Sequence, residues 1–201
     1  MAEHFKHATT DYPIHRLLRA RWSPRAYAER PISPDDLTSL FEAARWAASG
    51  GNGQPWRFIA ATRADPETHA RLVACLYEAN AEWAIRAPLL LLVVAQTMRG
   101  DGKPNRTAFY DCGLAVGNMS LQATELGLHV HQMGGFSLDQ AREHFGIPES
   151  FEPVAAIAIG YLGDDALLSE QNRERERAPR SRKPLAELVF GGEWGAPAPW
   201  L

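Results

Sequence analysis

The sequence predicts a β-sheet with helices on both of its faces. Strand-like runs alternate along the chain with segments whose apolar residues recur at helical spacing, which is typical of a sheet flanked by helices. One run, residues 89–95, is continuously apolar and favours a central strand covered on both faces. No repeat or linker interrupts the pattern, so we expect a single domain over residues 1–201.

The first half of the chain predicts four elements in order. Residues 1–12 are polar and are expected to fray, and a short helix follows at 14–20. Ser33 and Pro34 mark the start of a helix, because serine caps a helix and proline fits its first turn. That helix continues to residue 48. A strand at 56–61 precedes a helix that begins at Asp65 and is expected to run to residue 83.

The second half continues the alternation. After the central strand comes a charged loop at 99–105, expected to be mobile, and then the longest helix, at 107–126. Small residues within this helix lower its stability and indicate a close helix-helix interface, within the chain or between subunits; they are Gly113, Ala115, Gly117 and Ser120. Strands at 128–133 and 152–161 flank a helix that Ser137 caps and Gly146 ends.

The composition is that of an ordinary globular protein. Hydrophobic residues make up 45% and charged residues 22% of the chain, and the net charge of −3 argues against a general nucleic-acid binder. Cys75 and Cys112 lie in apolar helical patterns and are expected to be buried thiols in a reducing compartment. No signal peptide or membrane-spanning run is visible, so we expect a cytoplasmic protein that does not act at a membrane.

A glycine-rich turn with the sequence ASGGNGQPW occupies residues 48–56. Its glycines allow a ligand to approach the backbone, and Ser49, Asn52 and Gln54 add short hydroxyl and amide groups. The turn leads from a helix into a strand, whereas phosphate-cradling loops lead from a strand into a helix. It therefore predicts a ligand held by hydrogen bonds, with any anionic charge neutralised elsewhere.

Arginines near both ends of the chain could neutralise such a charge. Arg21 and Arg25 flank a non-helical Trp-Ser-Pro segment, and Arg180 and Arg182 lie near the C-terminus. Guanidinium groups suit phosphate geometry, although spacing alone does not bring the two pairs together. A solvated basic turn carries equal weight for residues 21–25, and a solvated face is preferred for the arginines at 173–177.

Motifs for hydrolytic or metal catalysis are missing from the sequence. It contains no GxSxG, HExxH or CxxC motif. His129 and His131 share one face of a strand, but no third ligand lies near them in the chain. Two ordinary strand histidines are therefore favoured over a metal site.

Several segments together resemble the FMN-dependent nitroreductase family. Besides the helix at 37–48, they are residues 21–27 (RWSPRAY), 49–56 (SGGNGQPW), 113–127 (GLAVGNMSLQATELG), 133–136 (MGGF), 159–161 (IGY) and 180–185 (RSRKPL). The resemblance implies an α+β fold with three layers, α/β/α, and a mixed but largely antiparallel sheet. It also implies an intertwined homodimer whose C-terminal tails are exchanged.

The resemblance further implies the residues that bind FMN. They are Arg21, Trp22, Ser23, Arg25, Ala48, Ser49, Gly50, Asn52, Gln54, Asn80, Met133, Gly134, Gly135, Arg180 and Arg182. The arginines and Ser23 would hold the phosphate and ribityl chain, Asn80 would meet the pyrimidine edge of the ring, and the paired glycines would lie beside N5 and O4. Residues 48–54 would reach the flavin from the second subunit.

Two departures from the family pattern concern the flavin. Many members have Pro-Ser-Ser where this chain has Ala48, Ser49 and Gly50, a mild change because the glycine backbone can still donate. Some place a lysine against the flavin ring near the position of Trp83. A cation there changes the electronics of the ring, so its absence bears on reduction potential and substrate range.

The resemblance implies NADH- or NADPH-dependent reduction of nitroaromatic, quinone or related electron-poor small molecules. Hydride would pass through flavin N5 in a ping-pong cycle, so no catalytic acid, base or metal of the protein's own is expected. Phe109 and Tyr110 are candidates for the substrate wall or for the core. The alternatives are a flavoenzyme of the same fold with a narrower reaction (enal reduction, reductive dehalogenation or flavin fragmentation) and a flavin-binding module without turnover.

Overall fold

The computed structural model describes residues 6–201, in which a four-stranded antiparallel sheet lies between two layers of helices. The strands are β1 (Trp56–Thr62), β2 (Leu89–Gln96), β3 (His129–Met133) and β4 (Phe151–Gly160). Their order across the sheet is β1-β2-β4-β3, and all three pairings are antiparallel. The apolar strand β2 therefore lies inside the sheet, as its sequence predicts.

Seven α-helices accompany the sheet within the described residues. They are α1 (Arg16–Ala20), α2 (Pro34–Arg45), α3 (Pro66–Cys75), α4 (Glu78–Ala84), α5 (Ala108–Glu125), α6 (Leu138–Phe145) and α7 (Glu170–Arg177). Over residues 6–201, none of them is both long and apolar enough to cross a bilayer.

Alternate side chains of β2 build two separate cores, because successive residues of a strand point to opposite faces. Leu90 and Leu92 pack with α3, α4 and α6, whereas Leu89 and Leu91 pack with α2 and α5. All four leucines are buried. This is the three-layer α+β arrangement that the resemblance implies.

The predicted capping residues delimit the helices. The Ser33 hydroxyl accepts a hydrogen bond from the backbone N–H of Asp36 at 3.1 Å, and the Ser137 hydroxyl accepts one from Gln140 at 3.3 Å. Gly146 ends α6 in the left-handed conformation, with φ at 61°. These boundaries are confirmed.

The single helix predicted from Asp65 to residue 83 is wrong, because the chain breaks into α3 and α4. Leu76 is extended, with φ −77° and ψ 145°, and it forms a β-bridge with Phe136. The N–H of Tyr77 donates to the carbonyl of Gly135 at 3.1 Å. These partners are distant in sequence, so periodicity could not reveal the break.

The small residues of α5 lie on two faces rather than one. Ala115 and Ser120 are buried on the inner face, whereas Gly113 and Gly117 are exposed. The exposed glycines align with Tyr110 and Leu114, since residues three and four apart share a helix face. We call this exposed row the α5 stripe; its residues are Tyr110, Gly113, Leu114 and Gly117.

The N-terminal segment is tied to the rest of the fold more firmly than its polarity predicts. Residues 1–5 lie outside the described part of the chain, but Lys6 is buried and its Nζ donates to the carbonyl of Ala178. The fraying predicted for residues 1–12 is therefore wrong at Lys6.

Residues 26–28 pair with the chain that follows β4. The N–H of Ala28 donates to the carbonyl of Tyr161 at 3.0 Å, and that of Gly163 donates to Ala26 at 2.9 Å. A Cβ at position 163 would lie 2.4 Å from the carbonyl carbon of Tyr27, which is rigid backbone. Only glycine fits there without displacing the N-terminal segment.

We predict that Gly163→Ala lowers the free energy of unfolding by roughly 2–3 kcal/mol, because the added methyl group overpacks against backbone. Urea unfolding of the purified variant measures the change. Gly100→Ala is the matched control, since a Cβ at position 100 meets no atom within 4 Å. Equal stability of the two variants would contradict the close approach at Gly163.

Candidate functional site

Arginines from both ends of the chain line one cavity of about 230 Å³, which we call the basic pocket. Its lining residues are Lys6, Arg21, Trp22, Ser23, Arg175, Ala178, Pro179, Arg180 and Arg182. Arg21 donates to the Ser23 hydroxyl at 3.4 Å. Arg180 donates to the carbonyls of Lys6 and Arg19 at 2.8 and 3.2 Å. The structure thus brings together arginines that spacing alone could not connect.

The basic pocket is suited to an anion. Burial lowers the pKa of Arg21, and the neighbouring charge of Arg182 lowers it further. Burial likewise lowers the pKa of Arg180, assisted by the charges of Arg21 and Arg182. None of these three arginines forms an ion pair with a carboxylate in residues 6–201. A bound phosphate would relieve this repulsion.

Arg25 is not among the residues that line the basic pocket. Burial lowers its pKa, while the charge of Glu176 opposes that shift. Glu176 is buried, and its two carboxylate oxygens accept the backbone N–H groups of Arg25 and Ala26 at 2.8 and 3.2 Å. The carboxylate therefore holds the segment that carries Arg21 and Ser23 against α7.

Sequence reasoning missed Lys6, Arg175 and Glu176. The solvated face predicted for the arginines at 173–177 fits Arg177, which forms an exposed ion pair with Asp165 at 2.7 Å. It does not fit Arg175, which lines the basic pocket. The sequence of α7, EQNRERER, contains no apolar residue, and this feature could have pointed to Glu176. Such a helix can dock only through polar side chains, and its two buried residues are Asn172 and Glu176.

The two strand histidines pack against tryptophans. His131 lies 4.5 Å from Trp83 between ring centroids, and His129 meets Trp22 edge-on at 5.7 Å. Nδ1 of His131 lies 2.8 Å from the carbonyl of Pro24, so it carries the proton and donates. Across residues 6–201, no group of three or more His, Cys, Asp or Glu residues could hold a metal ion.

Trp83 is a core residue in the folded chain. It is 1% exposed, stacks on Tyr27 and packs against His131 with the two rings tilted. Its indole N–H has no partner in the described part of the protein. Position 83, near which the family resemblance implies a lysine in some members, is therefore filled here by a buried, neutral ring.

The structure brings Asn80 close to Gly134 and Gly135, three of the residues predicted to bind FMN. The Asn80 amide nitrogen donates to the carbonyl of Gly135 at 3.0 Å, and a Cβ at position 135 would lie 2.6 Å from that nitrogen. The amide oxygen of Asn80 accepts no hydrogen bond from residues 6–201, so it can accept one from a ligand. Met133, which precedes the glycines, is buried.

A second and larger cavity, of about 560 Å³, adjoins the turn at Gly134 and Gly135. We call it the aromatic cavity. Its lining residues are Tyr77, Phe109, Gly134, Phe136, Leu138, Glu152, Pro153 and Val154. Phe109, one of the two candidates for a substrate wall, lies in it. Tyr110 does not line it and belongs to the α5 stripe.

The glycine-rich turn at 48–54 is stabilised in an uncommon backbone conformation. Asn52 and Gln54 have φ of 56° and 45°, in the left-handed region that residues other than glycine rarely adopt. The N–H of Gly50 donates to buried Asp111 at 3.2 Å, and the N–H of Gln54 donates to the Ser49 hydroxyl at 3.1 Å. Backbone strain of this kind is concentrated at ligand sites.

Within the chain, the glycine-rich turn and the basic pocket lie at opposite edges of the sheet. The turn leads into edge strand β1, whereas Trp22 and Pro24 contact His129 and His131 on edge strand β3. Three strand spacings of about 4.8 Å each separate these edges. The structure therefore does not bring Ala48, Ser49, Gly50, Asn52 and Gln54 to the arginines of the same chain.

Comparison with known proteins identifies the family. The model of the nitroreductase family matches residues 18–82 and 63–161, which is most of the chain. The chain belongs to the nitroreductase family. It is therefore an oxidoreductase by class.

Relatives of this family share the fold over nearly the whole chain. An oxidoreductase containing FMN, of known crystal structure, is 37% identical with a TM-score of 0.89; the match covers 98% of this chain and 100% of that one. A provisionally named nitroreductase from Desulfovibrio desulfuricans, solved in complex with FMN, is 29% identical with a TM-score of 0.68, covering 92% and 99%. A provisionally named NADH dehydrogenase/NAD(P)H nitroreductase from Archaeoglobus fulgidus is 29% identical over 158 residues, 75% of this chain and 86% of the relative.

We predict a pH-dependent stability that originates at His131. Burial lowers the pKa of His131 to about 4, outweighing the hydrogen bond to Pro24, and the charge of Arg25 adds to the lowering. A folded pKa below the ordinary value near 6.5 means that stability is lost as pH falls from about 6.5 through about 4. Between pH 7 and pH 4.5, the free energy of unfolding of His131→Phe should therefore fall by about 2 kcal/mol less than that of the wild type.

Urea unfolding at the two pH values measures this difference. His15→Gln is the control, because His15 is exposed and lies far from β3 in sequence. If His131→Phe kept the whole acid-induced loss, the protonation of His131 would not be its cause.

Proposed function

We propose that the protein binds FMN and uses NADH or NADPH to reduce nitroaromatic, quinone or related electron-poor small molecules. The observation that carries the proposal is the basic pocket, in which arginines from both ends of the chain converge beside Ser23. The FMN-containing relatives of the same fold support it. When bound, FMN would supply the redox chemistry between the nicotinamide and the acceptor in alternating half-reactions.

The phosphate of FMN would occupy the basic pocket. Arg21, Arg180 and Arg182 offer guanidinium groups without carboxylate partners in the described chain, and charge-assisted hydrogen bonds to phosphate are among the strong ones. Ser23 adds a hydroxyl beside Arg21. The repulsion among these cations favours a dianion over a neutral ligand.

The ring of FMN would lie against Asn80 of α4 and the turn at Gly134 and Gly135. The free amide oxygen of Asn80 can accept from an imide N–H, and the exposed backbone of Gly134 can approach a flat ring closely. Trp83 and His131 form a rigid layer beneath the segment that carries the arginines. The protein's share is then to bind, orient and exclude water, without an acid or base of its own.

The aromatic cavity favours turnover over a flavin-binding module. With a volume of about 560 Å³, it leaves room beside Gly134 for a second small molecule. Such an opening is needed if nicotinamide and acceptor occupy the same place in turn.

We infer that a second copy of the chain completes the site. The glycine-rich turn is exposed and strained, and it cannot reach the basic pocket of its own chain. The α5 stripe is an apolar surface with two glycines that would admit a partner helix closely. The C-terminal tail exposes Leu188, Trp194 and Trp200 at 57%, 94% and 74%, as expected of a segment covered by a partner.

Purified protein is expected to carry FMN or to take it up, and its flavin absorbance should bleach when NADH or NADPH is added without oxygen. Arg21→Ala and Arg182→Ala should each weaken FMN binding by about 10- to 100-fold, because each removes a charge-assisted contact. Quenching of FMN fluorescence measures the affinity.

Arg177→Ala is the matched control for these two variants. It removes an arginine of the same basic region that pairs with Asp165 outside the basic pocket. Unchanged FMN affinity in Arg21→Ala and Arg182→Ala would exclude the basic pocket as the phosphate site. A protein that ignores added FMN would overturn the proposed function.

Leu114→Glu is expected to dissociate the dimer and to weaken FMN binding together with it, because a charge in the α5 stripe would be buried against the partner. Sedimentation velocity measures the association, and FMN titration at several protein concentrations measures the coupling. Ile85→Glu is the control, since Ile85 is also exposed, at 51%, but lies outside the α5 stripe. FMN binding that is independent of association would contradict a shared site.

A further inference from the structure

The aromatic cavity is built to hold a flat ring. Tyr77, Phe109 and Phe136 contribute aromatic side chains, and Tyr77 and Phe109 remain 59% and 47% exposed. A planar molecule between them would remove this apolar surface from water and could stack on a ring face.

The walls of the aromatic cavity are fixed relative to the turn at Gly134 and Gly135. The N–H of Tyr77 donates to Gly135, and Leu76 bridges Phe136 on the other side of the same turn. Gly134 itself lines the cavity. A molecule in the cavity therefore lies beside the backbone against which the FMN ring is proposed to lie.

Among residues 6–201, Glu152 is the one charged residue that lines the aromatic cavity. It is half-buried and forms no hydrogen bond or ion pair through its carboxylate with any residue in 6–201. Arg142 and Arg57 contact the preceding Phe151, but within residues 6–201 neither forms an ion pair with Glu152. Arg142 donates to the carbonyls of Pro148 and Phe151, and Arg57 donates to those of Gln54 and Trp56.

An uncompensated carboxylate beside aromatic faces favours a cation for two reasons. Coulomb attraction acts at short range in a partly desolvated cavity, and the negative faces of the rings attract the same positive charge. An anionic ligand would be repelled by Glu152. In the part of the chain that the structure describes, the cavity has no other charged side chain to reverse that preference.

We propose that Glu152 makes the site selective for planar aromatic electron acceptors that carry a positive charge, and selective against anionic ones. This inference rests on the proposed function and assigns a substrate class to the aromatic cavity. Glu152 acts through its charge on substrate binding and takes no part in the transfer of hydride.

The test uses three acceptors that share the nitrophenyl group and differ in charge: 4-nitrobenzoate, 4-nitrobenzamide and 4-nitrobenzyltrimethylammonium. For the FMN-loaded protein, the ratio of kcat/KM for the cation to kcat/KM for the anion should fall about tenfold in Glu152→Gln. The neutral amide should be reduced equally by both proteins. Glu152→Asp should keep most of the selectivity, and Glu149→Gln, an exposed carboxylate outside the cavity, should leave it unchanged.

A second measurement does not depend on turnover. Calorimetric titration of the FMN-loaded protein with phenyltrimethylammonium and with benzoate compares two inert rings of opposite charge. The wild-type protein should bind the cation more tightly, by about tenfold, even if Glu152→Gln fails to fold.

The outcomes separate the two proposals. Reduction of the acceptors with the same cation-to-anion ratio in wild type and Glu152→Gln would overturn the role of Glu152 and leave the proposed function intact. Failure to reduce any acceptor would overturn the proposed function. Equal binding of the two inert rings by the wild type would overturn the charge selectivity of the cavity in either case.

Discussion

The two ends of the chain are joined through one buried carboxylate, and the candidate site depends on that junction. Glu176 accepts the backbone N–H groups of Arg25 and Ala26, about 150 residues earlier in the chain. Burial raises the pKa of Glu176, and the two backbone hydrogen bonds oppose that rise. The sequence of α7 is polar throughout, so the helix has no apolar face with which to pack. Polar contacts such as these two hydrogen bonds must therefore hold it in place.

This junction also explains how several cations come to share one pocket. Lys6 and Arg180 donate to backbone carbonyls on the opposite end of the chain, so each cation helps to position the pocket that it lines. Hydrogen bonds of this kind offset part of the repulsion among the arginines. A bound phosphate would offset more of it, which links occupation of the pocket to the stability of the whole junction.

The helix ends and the central strand could be predicted from local sequence signals, and the structure confirms them. Ser33, Ser137 and Gly146 set helix ends through their own backbone neighbours, and the apolar run of β2 indicates its central place regardless of the partners it finds. The break at Leu76 had no such signal, because its cause is a hydrogen bond between Tyr77 and Gly135. Local patterns thus predicted elements and could not predict contacts between them.

The residues of the candidate site likewise differ in whether their local sequence could predict them. Arg21, Ser23, Arg180 and Arg182 carry a recognisable sequence pattern, and they meet in the structure. Lys6 and Arg175 join them only because the fold brings their segments there, and neither has a distinguishing local sequence. The small residues of α5 illustrate the opposite error: Ala115 and Gly117 look equivalent in composition, but one is buried and the other exposed.

Trp83 and His131 bear on how the protein would tune a bound flavin. His131, with its pKa lowered to about 4, is neutral near pH 7, and the indole of Trp83 is neutral at every pH. The layer beneath the arginine segment therefore offers no positive charge where some relatives place a lysine. Hydrogen bonds from Asn80 and from the backbone at Gly134 and Gly135 would then adjust the ring, together with the glycine-rich turn that a second copy of the chain is proposed to supply. A reduction potential set by hydrogen bonds rather than by a nearby cation should depend only weakly on salt, because neutral dipoles are screened far less than exposed charges.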